Sequence, residues 1–260
     1  MAGYHPGGGV SLAARVVPCL DIKDGRVVKG VRFQGLRDAG DPVECAALYE
    51  AQGADEIVLL DVSATPEGRG HGLGTVRRVR SVLSIPLTVG GGVRGADDAG
   101  TLLEAGADKV GVNTAAVTRP ALVAEIADRY GAQCTVLAVD AAATGQGWEV
   151  VVESGRRRTG IDVIEWCEKA TAIGAGEILL TSWDRDGTGD GYDLALVEAV
   201  SSAVSVPVIA SGGANTADHL AQALKSGASA ALVASILHDG HTTVADLKHE
   251  LASAGILVRP

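Results

Sequence analysis

The sequence predicts an α/β fold, a (β/α)8 barrel of the TIM type assembled from two homologous half-barrels, and three observations predict it. The first is internal repetition. A shift of 121 positions lays SVLSIPLTVGGGV (81–93) on SAVSVPVIASGGA (202–214), matching Ser81/Ser202, Ser84/Ser205, Pro86/Pro207, Gly91/Gly212 and Gly92/Gly213. The same shift lays AGADKVGVNT (105–114) on SGASAALVAS (226–235) and GADEIVLLD (53–61) on GAGEILLTS (174–182), so that Glu56 falls on Glu177. Near the start the shift is 119, pairing RVVPCLD (15–21) with CTVLAVD (134–140) and Asp21 with Asp140. The second observation is alternation of short apolar runs with helical patterns. The third is composition: 260 residues, 47% hydrophobic, with 35 glycines but only one Phe, three Trp and four Tyr, describe an interior of Ala, Val, Leu and Ile joined by many tight turns.

Taken in chain order, residues 1–14 lack the basic and apolar regions of a signal peptide and are expected to form a flexible leader, with one barrel domain spanning 15–260. Buried parallel strands are expected at about 15–20, 57–61, 86–90, 109–113, 134–139, 178–182, 207–211 and 230–234, each a near-continuous apolar run. Between them, sets such as Ala96, Ala99, Leu102 and Leu103, or Val244, Leu247 and Leu251, recur at helical spacing. Eight strand–helix units in about 250 residues close most economically into a barrel. A doubly wound open sheet is the alternative, but its edge strands would break the equivalence of the two halves.

In a barrel the chemistry sits at the C-terminal strand ends. Asp21 ends strand one and Asp140 ends strand five, which sets two carboxylates on opposite sides of one mouth. A single aspartate there could equally cap a helix or pair with a loop cation; the symmetric pair favours acid/base chemistry. Gly90-Gly91-Gly92 after strand three and Ser211-Gly212-Gly213 after strand seven free backbone N–H groups for an anion, with Asn113-Thr114 and Ala234-Ser235 completing the two sets. Two such sets imply an elongated ligand phosphorylated at both ends. The segment 23–42 (KDGRVVKGVRFQGLRDAGDP) reads as a long loop and a possible lid, in which Lys29 would fold over a phosphate. The insertion 144–158 (TGQGWEVVVESGRRR) alternates like a β-hairpin with solvated arginines. At the opposite end, Arg15, Glu56, Lys109 and Glu177 begin strands one, two, four and six, where unpaired charges would be costly. They should pair into a ring on the barrel floor, serving as a structural plug or as a gate to an axial passage.

A formal charge of −10 argues against broad attraction to nucleic acid or an anionic membrane. Cys19, Cys45, Cys134 and Cys167 lie far apart, which suggests neither zinc site nor disulfide framework and fits a cytoplasmic protein. No cofactor is called for, and no apolar run approaches the ~18 residues of a membrane span.

The segments RVVPCLDIKDGRVVKG, LRDAGDPVE, GADEIVLLDVSA, TVGGGV, GADKVGVNTAA, GAGEILLTSWDRDGTGDGYD and IASGGA together resemble the cyclase subunits of imidazole glycerol phosphate synthase, a family of histidine biosynthesis, over about 15–255. The resemblance implies a lyase that adds ammonia to a phosphoribulosyl-formimino-aminoimidazole carboxamide ribonucleotide and releases imidazole glycerol phosphate and aminoimidazole carboxamide ribonucleotide. By that resemblance Asp21 and Asp140 match the catalytic pair, Gly92, Asn113 and Thr114 the first phosphate site, and Gly187, Gly213, Ala234 and Ser235 the second. Thr181 matches a substrate-binding position, and Lys29 the lid lysine. Arg15, Glu56, Lys109 and Glu177 match the gate facing a glutamine amidotransferase subunit, which would supply ammonia in a heterodimer. Departures are the leader, Trp183 and the alanines at 141–143. Two rivals remain at this point: the sister isomerase of the same pathway, which shares paired aspartates and a bisphosphorylated ligand, and a non-catalytic phosphosugar-binding barrel.

Overall fold

The computed structural model describes residues 12–31, 34–67 and 72–260. Its strands are β1 (Arg15–Lys23), β2 (Arg26–Val31), β3 (Gln34–Gly40), β4 (Ile57–Asp61), β5 (Leu87–Gly90), β6 (Lys109–Val112), β7 (Thr135–Thr144), β8 (Gly147–Val152), β9 (Arg157–Asp162), β10 (Glu177–Ser182), β11 (Val208–Ser211) and β12 (Ala230–Val233). Among the described residues eight of these are mutually parallel and run β1-β4-β5-β6-β7-β10-β11-β12, and β12 pairs with β1 to close the wall. All eight expected strands are present, and no open sheet edge interrupts the barrel.

Parity sorts each strand's residues. Val17, Cys19, Val58, Val136, Leu179, Ile209, Ala230 and Leu232 fill the barrel interior. Their neighbours, such as Val16, Leu20, Ile57, Leu59, Leu137, Ile178 and Leu180, pack outward under the helices. Both faces are therefore apolar, as the unbroken runs in the sequence require. The helices that cover the wall carry explicit start signals: Asp41 accepts Val43 N–H, Asp162 accepts Ile164 and Glu165 N–H, Asp193 accepts Leu196 N–H, and Thr243 with Asp246 closes a capping box.

Segment 23–42 differs from the expected loop. β1 continues beyond the barrel into an antiparallel pairing with β2, through a two-residue turn at Asp24 (φ 52°) and Gly25 (φ 75°), and β3 returns along β2. Asp-Gly at a two-residue connection supplies the positive φ values that match strand twist, so the hairpin has a local cause. Positions 32 and 33 lie outside the described residues. The insertion after strand five is the expected hairpin, β8 with β9, and it grows from β7 as β2 grows from β1. Ala141 and Ala142 form fully buried rungs of that extension. Its arginines Arg157 and Arg158 are exposed and pair with Glu153 and Glu149.

Of the expected leader, residues 1–11 lie outside the described residues, while Ala14 bridges Val258 and donates its N–H to Leu257 O at 2.8 Å. No helix among the described residues is long and apolar enough to cross a membrane.

Ile209 is fully buried in the barrel interior. Ile209→Ala should lower unfolding free energy by about 2–5 kcal/mol, read as a lower urea midpoint.

Candidate functional site at the barrel mouth

Asp21 and Asp140 occupy equivalent positions in the two halves. Asp21 on β1 is in register with Leu60 of parallel β4 and Val28 of antiparallel β2; Asp140 on β7 is in register with Thr181 of parallel β10 and Val151 of antiparallel β8. Each carboxylate thus stands where a strand leaves the barrel, pinned on both edges. Burial is the first cause that pushes each up, from the ordinary 3.8 to about 7. Repulsion from Asp186 adds to both, and Asp140 itself adds to Asp21. Opposing this, Cys19 Sγ lies 3.5 Å from Asp21 Oδ1, and Asn113 Nδ2 donates to Asp140 Oδ2 at 3.0 Å. Two acids that hold a proton near neutrality suit transfers in either direction.

Two cavities flank this pair. The first, about 450 Å³, is lined by Gly90 to Gly92, Asn113, Thr114 and Asp140. Gly91 (φ 96°) must be glycine, since a Cβ there would lie 2.2 Å from Asp61 O. Gly92 N–H points to Thr65 Oγ1 at 3.3 Å, and Glu153 N–H donates to Thr114 Oγ1 at 3.0 Å, leaving the threonine proton available to an anion. Asn113 Oδ1 is buried with no hydrogen-bond partner among the described residues. The β8–β9 turn closes over this cavity: Ser154 lines it, and Trp183 packs its ring against Gly155.

The second cavity, about 790 Å³, is lined by Lys29, Gly187, Gly212, Gly213, Ala234 and Ser235. Lys29 pairs with Asp239, whose other oxygen takes Arg37 at 2.5 Å, so the β2–β3 hairpin is tied to the cavity rim. Below it, His238 is pushed down to about 4 chiefly by burial and is neutral. Its Nε2 faces Cys19 O at 3.1 Å and must donate, so Nδ1 accepts from Tyr49 Oη at 2.6 Å. That chain fixes β1 two residues before Asp21.

The structure brings together Asp21, Asp140, both glycine-lined sets and Lys29 around one mouth. Thr181 is buried on the wall between Asp140 and Ser211 and lines neither cavity, so it contributes through the wall. Asp186, Arg94, Arg119 and Asp239 were not picked out by sequence reasoning. Asp186 lay within the quoted segment GAGEILLTSWDRDGTGDGYD, where its distance from strand six gave the one available signal. Asp239 offered none, because its partners are some 200 residues away.

On the opposite face the four floor charges form a closed ring. Arg15 reaches Glu56 at 2.8 Å and Glu177 at 2.5 Å, and Lys109 reaches Glu56 at 2.9 Å and Glu177 at 2.7 Å. Thr88 Oγ1 adds a 2.5 Å bond to Glu56. Each buried carboxylate thereby meets two cations, the arrangement that offsets its desolvation.

The chain matches the histidine biosynthesis protein family over residues 15–243. It is 55% identical over 257 residues to the imidazole glycerol phosphate synthase subunit HisF of Mycobacteroides abscessus, covering 96% of this chain and 100% of that one. Subunits of the same name from Corynebacterium diphtheriae and Synechococcus sp. are also 55% identical, each over 255 residues, covering 95% and 96% of this chain and 99% and 100% of theirs.

The raised carboxyls set a pH signature. Below the unfolded value near 3.8 both groups are protonated in both states; between there and about 7 the folded protein holds the protons more tightly, so stability falls as pH rises through 7. Asp21→Asn and Asp140→Asn should therefore each raise the ligand-free Tm at pH 8, by about 2–4 °C per kcal/mol recovered, and raise it less at pH 5.5. Calorimetry at the two pH values checks this.

Proposed function

The chain belongs to the histidine biosynthesis protein family, among the HisF subunits of imidazole glycerol phosphate synthase, and from that premise we propose how its mouth and floor divide the work of that synthase. It is the cyclase subunit. Its substrate, in our reading, is the bisphosphorylated phosphoribulosyl-formimino-aminoimidazole carboxamide ribonucleotide, stretched so that one phosphate enters each cavity. Gly92, Asn113 and Thr114 hold one end; Lys29, Gly187, Gly213, Ala234 and Ser235 hold the other, through backbone N–H groups that need no excess of lysine. The observation that carries the reading is the pair of half-buried carboxyls, each pushed up to about 7, standing at the mouth beside the two cavities.

Ammonia attacks the ribulosyl ketone carbon, and water leaves as the carbon–nitrogen double bond forms. The new nitrogen then closes onto the formimino carbon, and the bond from that carbon to the aminoimidazole amine breaks. Imidazole glycerol phosphate and aminoimidazole carboxamide ribonucleotide are released. Asp21 acts as general acid toward the departing water and amine, and Asp140 as general base during closure. Positioned acids and bases of this kind contribute about 10²–10⁴-fold each.

The floor ring is assigned as the gate through which ammonia from a partner glutamine amidotransferase, docked on the N-terminal face, reaches the mouth along the barrel axis. What supports it is the closed alternation of Arg15, Glu56, Lys109 and Glu177 across that face. A cytoplasmic location belongs to the same proposal.

With purified chain and ammonium as the sole nitrogen donor, Asp21→Asn and Asp140→Asn should each lower kcat by about 10²-fold or more while ligand affinity changes little. Near-normal turnover in either variant overturns its role. Lys109→Ala should change glutamine-driven turnover more than ammonium-driven turnover; equal losses return the ring to a structural plug.

A further inference from the structure

Among the described residues, the buried charges outside the ring are Asp55, Lys248 and Asp61; Asp61 lines the first cavity, and its carboxylate accepts Ser63 and Ala64 N–H in its own turn. Asp55 immediately precedes Glu56 of the ring. Its Oδ2 accepts Val16 N–H at 2.8 Å, and its own N–H donates to Val16 O at 3.2 Å. Val16 in turn follows Arg15. The residues flanking the Arg15–Glu56 ion pair are thus clamped to each other by two hydrogen bonds, one of them through a carboxylate. At this level β4 has not yet begun, so the side chain supplies the acceptor that a ladder partner would otherwise provide.

Parity fixes the directions. Glu56 faces the barrel axis, so Asp55 faces outward, where Lys248 of the helix Val244–Ser253 places Nζ 3.0 Å from Asp55 Oδ1. The side chains of this pair are only 2% and 7% exposed. Burying an ion pair so fully brings little net stability, and replacing such a pair with apolar residues is often neutral or better. What the pair does achieve is geometric: Lys248 holds the Asp55 carboxylate that accepts Val16 N–H, and the two Asp55–Val16 hydrogen bonds join the starts of β1 and β4, from which Arg15 and Glu56 extend.

We propose that Asp55, held by Lys248, is a positioning residue for the floor gate: it touches neither substrate nor the ring's side chains and acts by fixing the backbone from which Arg15 and Glu56 extend. The proposal rests on the gate reading of the preceding subsection. Loosening the clamp lets glutamine-derived ammonia escape to solvent, so less imidazole product forms per glutamine hydrolysed, while ammonium supplied from solution still reaches the mouth.

The test uses the complete two-subunit complex, measuring imidazole glycerol phosphate formed per glutamate released, alongside ammonium-driven kcat. Asp55→Asn should lower the product-to-glutamate ratio roughly threefold or more with ammonium-driven kcat within about twofold of the parent, and Lys248→Arg should preserve the ratio. Should Asp55→Asn not fold, Lys248→Gln probes the same contact from the helix with the same expected outcome. An unchanged ratio in both clamp variants, or equal losses with both nitrogen donors, overturns the proposal. Lys109→Ala separates the two levels: if it lowers the ratio while the clamp variants do not, the gate stands and the clamp falls, and if it does not, both fall.

Discussion

Side chains alternate across a closed barrel wall, so all inward-facing residues of a strand are separated by even numbers. That single constraint organises the molecule. On β1 the inward series runs Arg15, Val17, Cys19, Asp21, which places a floor cation, two apolar fillers and a mouth carboxylate on one line. The same parity takes β10 from Glu177 through Leu179 to Thr181, and takes the segment from Lys109 to Asn113. An apolar plug of Val, Leu, Ile, Ala and Cys separates the charged floor from the acidic mouth. A slip of one residue in any strand would swing both ends outward together, so floor and mouth are specified by one register.

The mouth sets two electrostatic demands against each other. Asp186 raises the proton affinity of Asp21 and Asp140, Asp140 raises that of Asp21, and that environment repels a phosphate. The two glycine-lined cavities, which the proposed function assigns to the phosphates, present backbone at positions where glycine is forced, as at Gly91, or where positive φ opens the turn, as at Gly213. Local donors of this sort do their work against an overall charge of −10, because a hydrogen bond to a backbone N–H depends on aim rather than on the net field. In the proposed function, a long ligand bridging the two cavities would lie across the acids, which would bring the reacting centre to them without placing a phosphate against them.

Half-barrel symmetry survives where the two aspartates stand. Both aspartates stand at the exit of a strand that continues into an antiparallel hairpin, and each is pinned between a parallel and an antiparallel neighbour. The hairpins then diverge. One is tied by Lys29 and Arg37 to Asp239 at the second cavity, the other by Glu153 and Ser154 to Thr114 and Val62 O at the first. The duplicated element thus covers opposite ends of the mouth with unrelated contacts.

The sequence by itself determined the eight strands, the doubled plan, the placement of Asp21 and Asp140, the two glycine-lined sets and the ring composition, because each follows from local periodicity or from a repeat that the eye can align. The comparisons then separated the cyclase subunits from the rivals that the residues alone had left open. Only the tertiary structure decided that segment 23–42 is a hairpin, that Asp186 joins the acidic pair, that Asp239 secures Lys29 and that Asp55 clamps Val16. The Asp-Gly turn of that hairpin was visible, but its polar strands, lying outside the barrel, carry no unbroken apolar run to announce them. The remaining contacts join residues tens to hundreds of positions apart, and their energies depend on burial that exists only once the wall has closed.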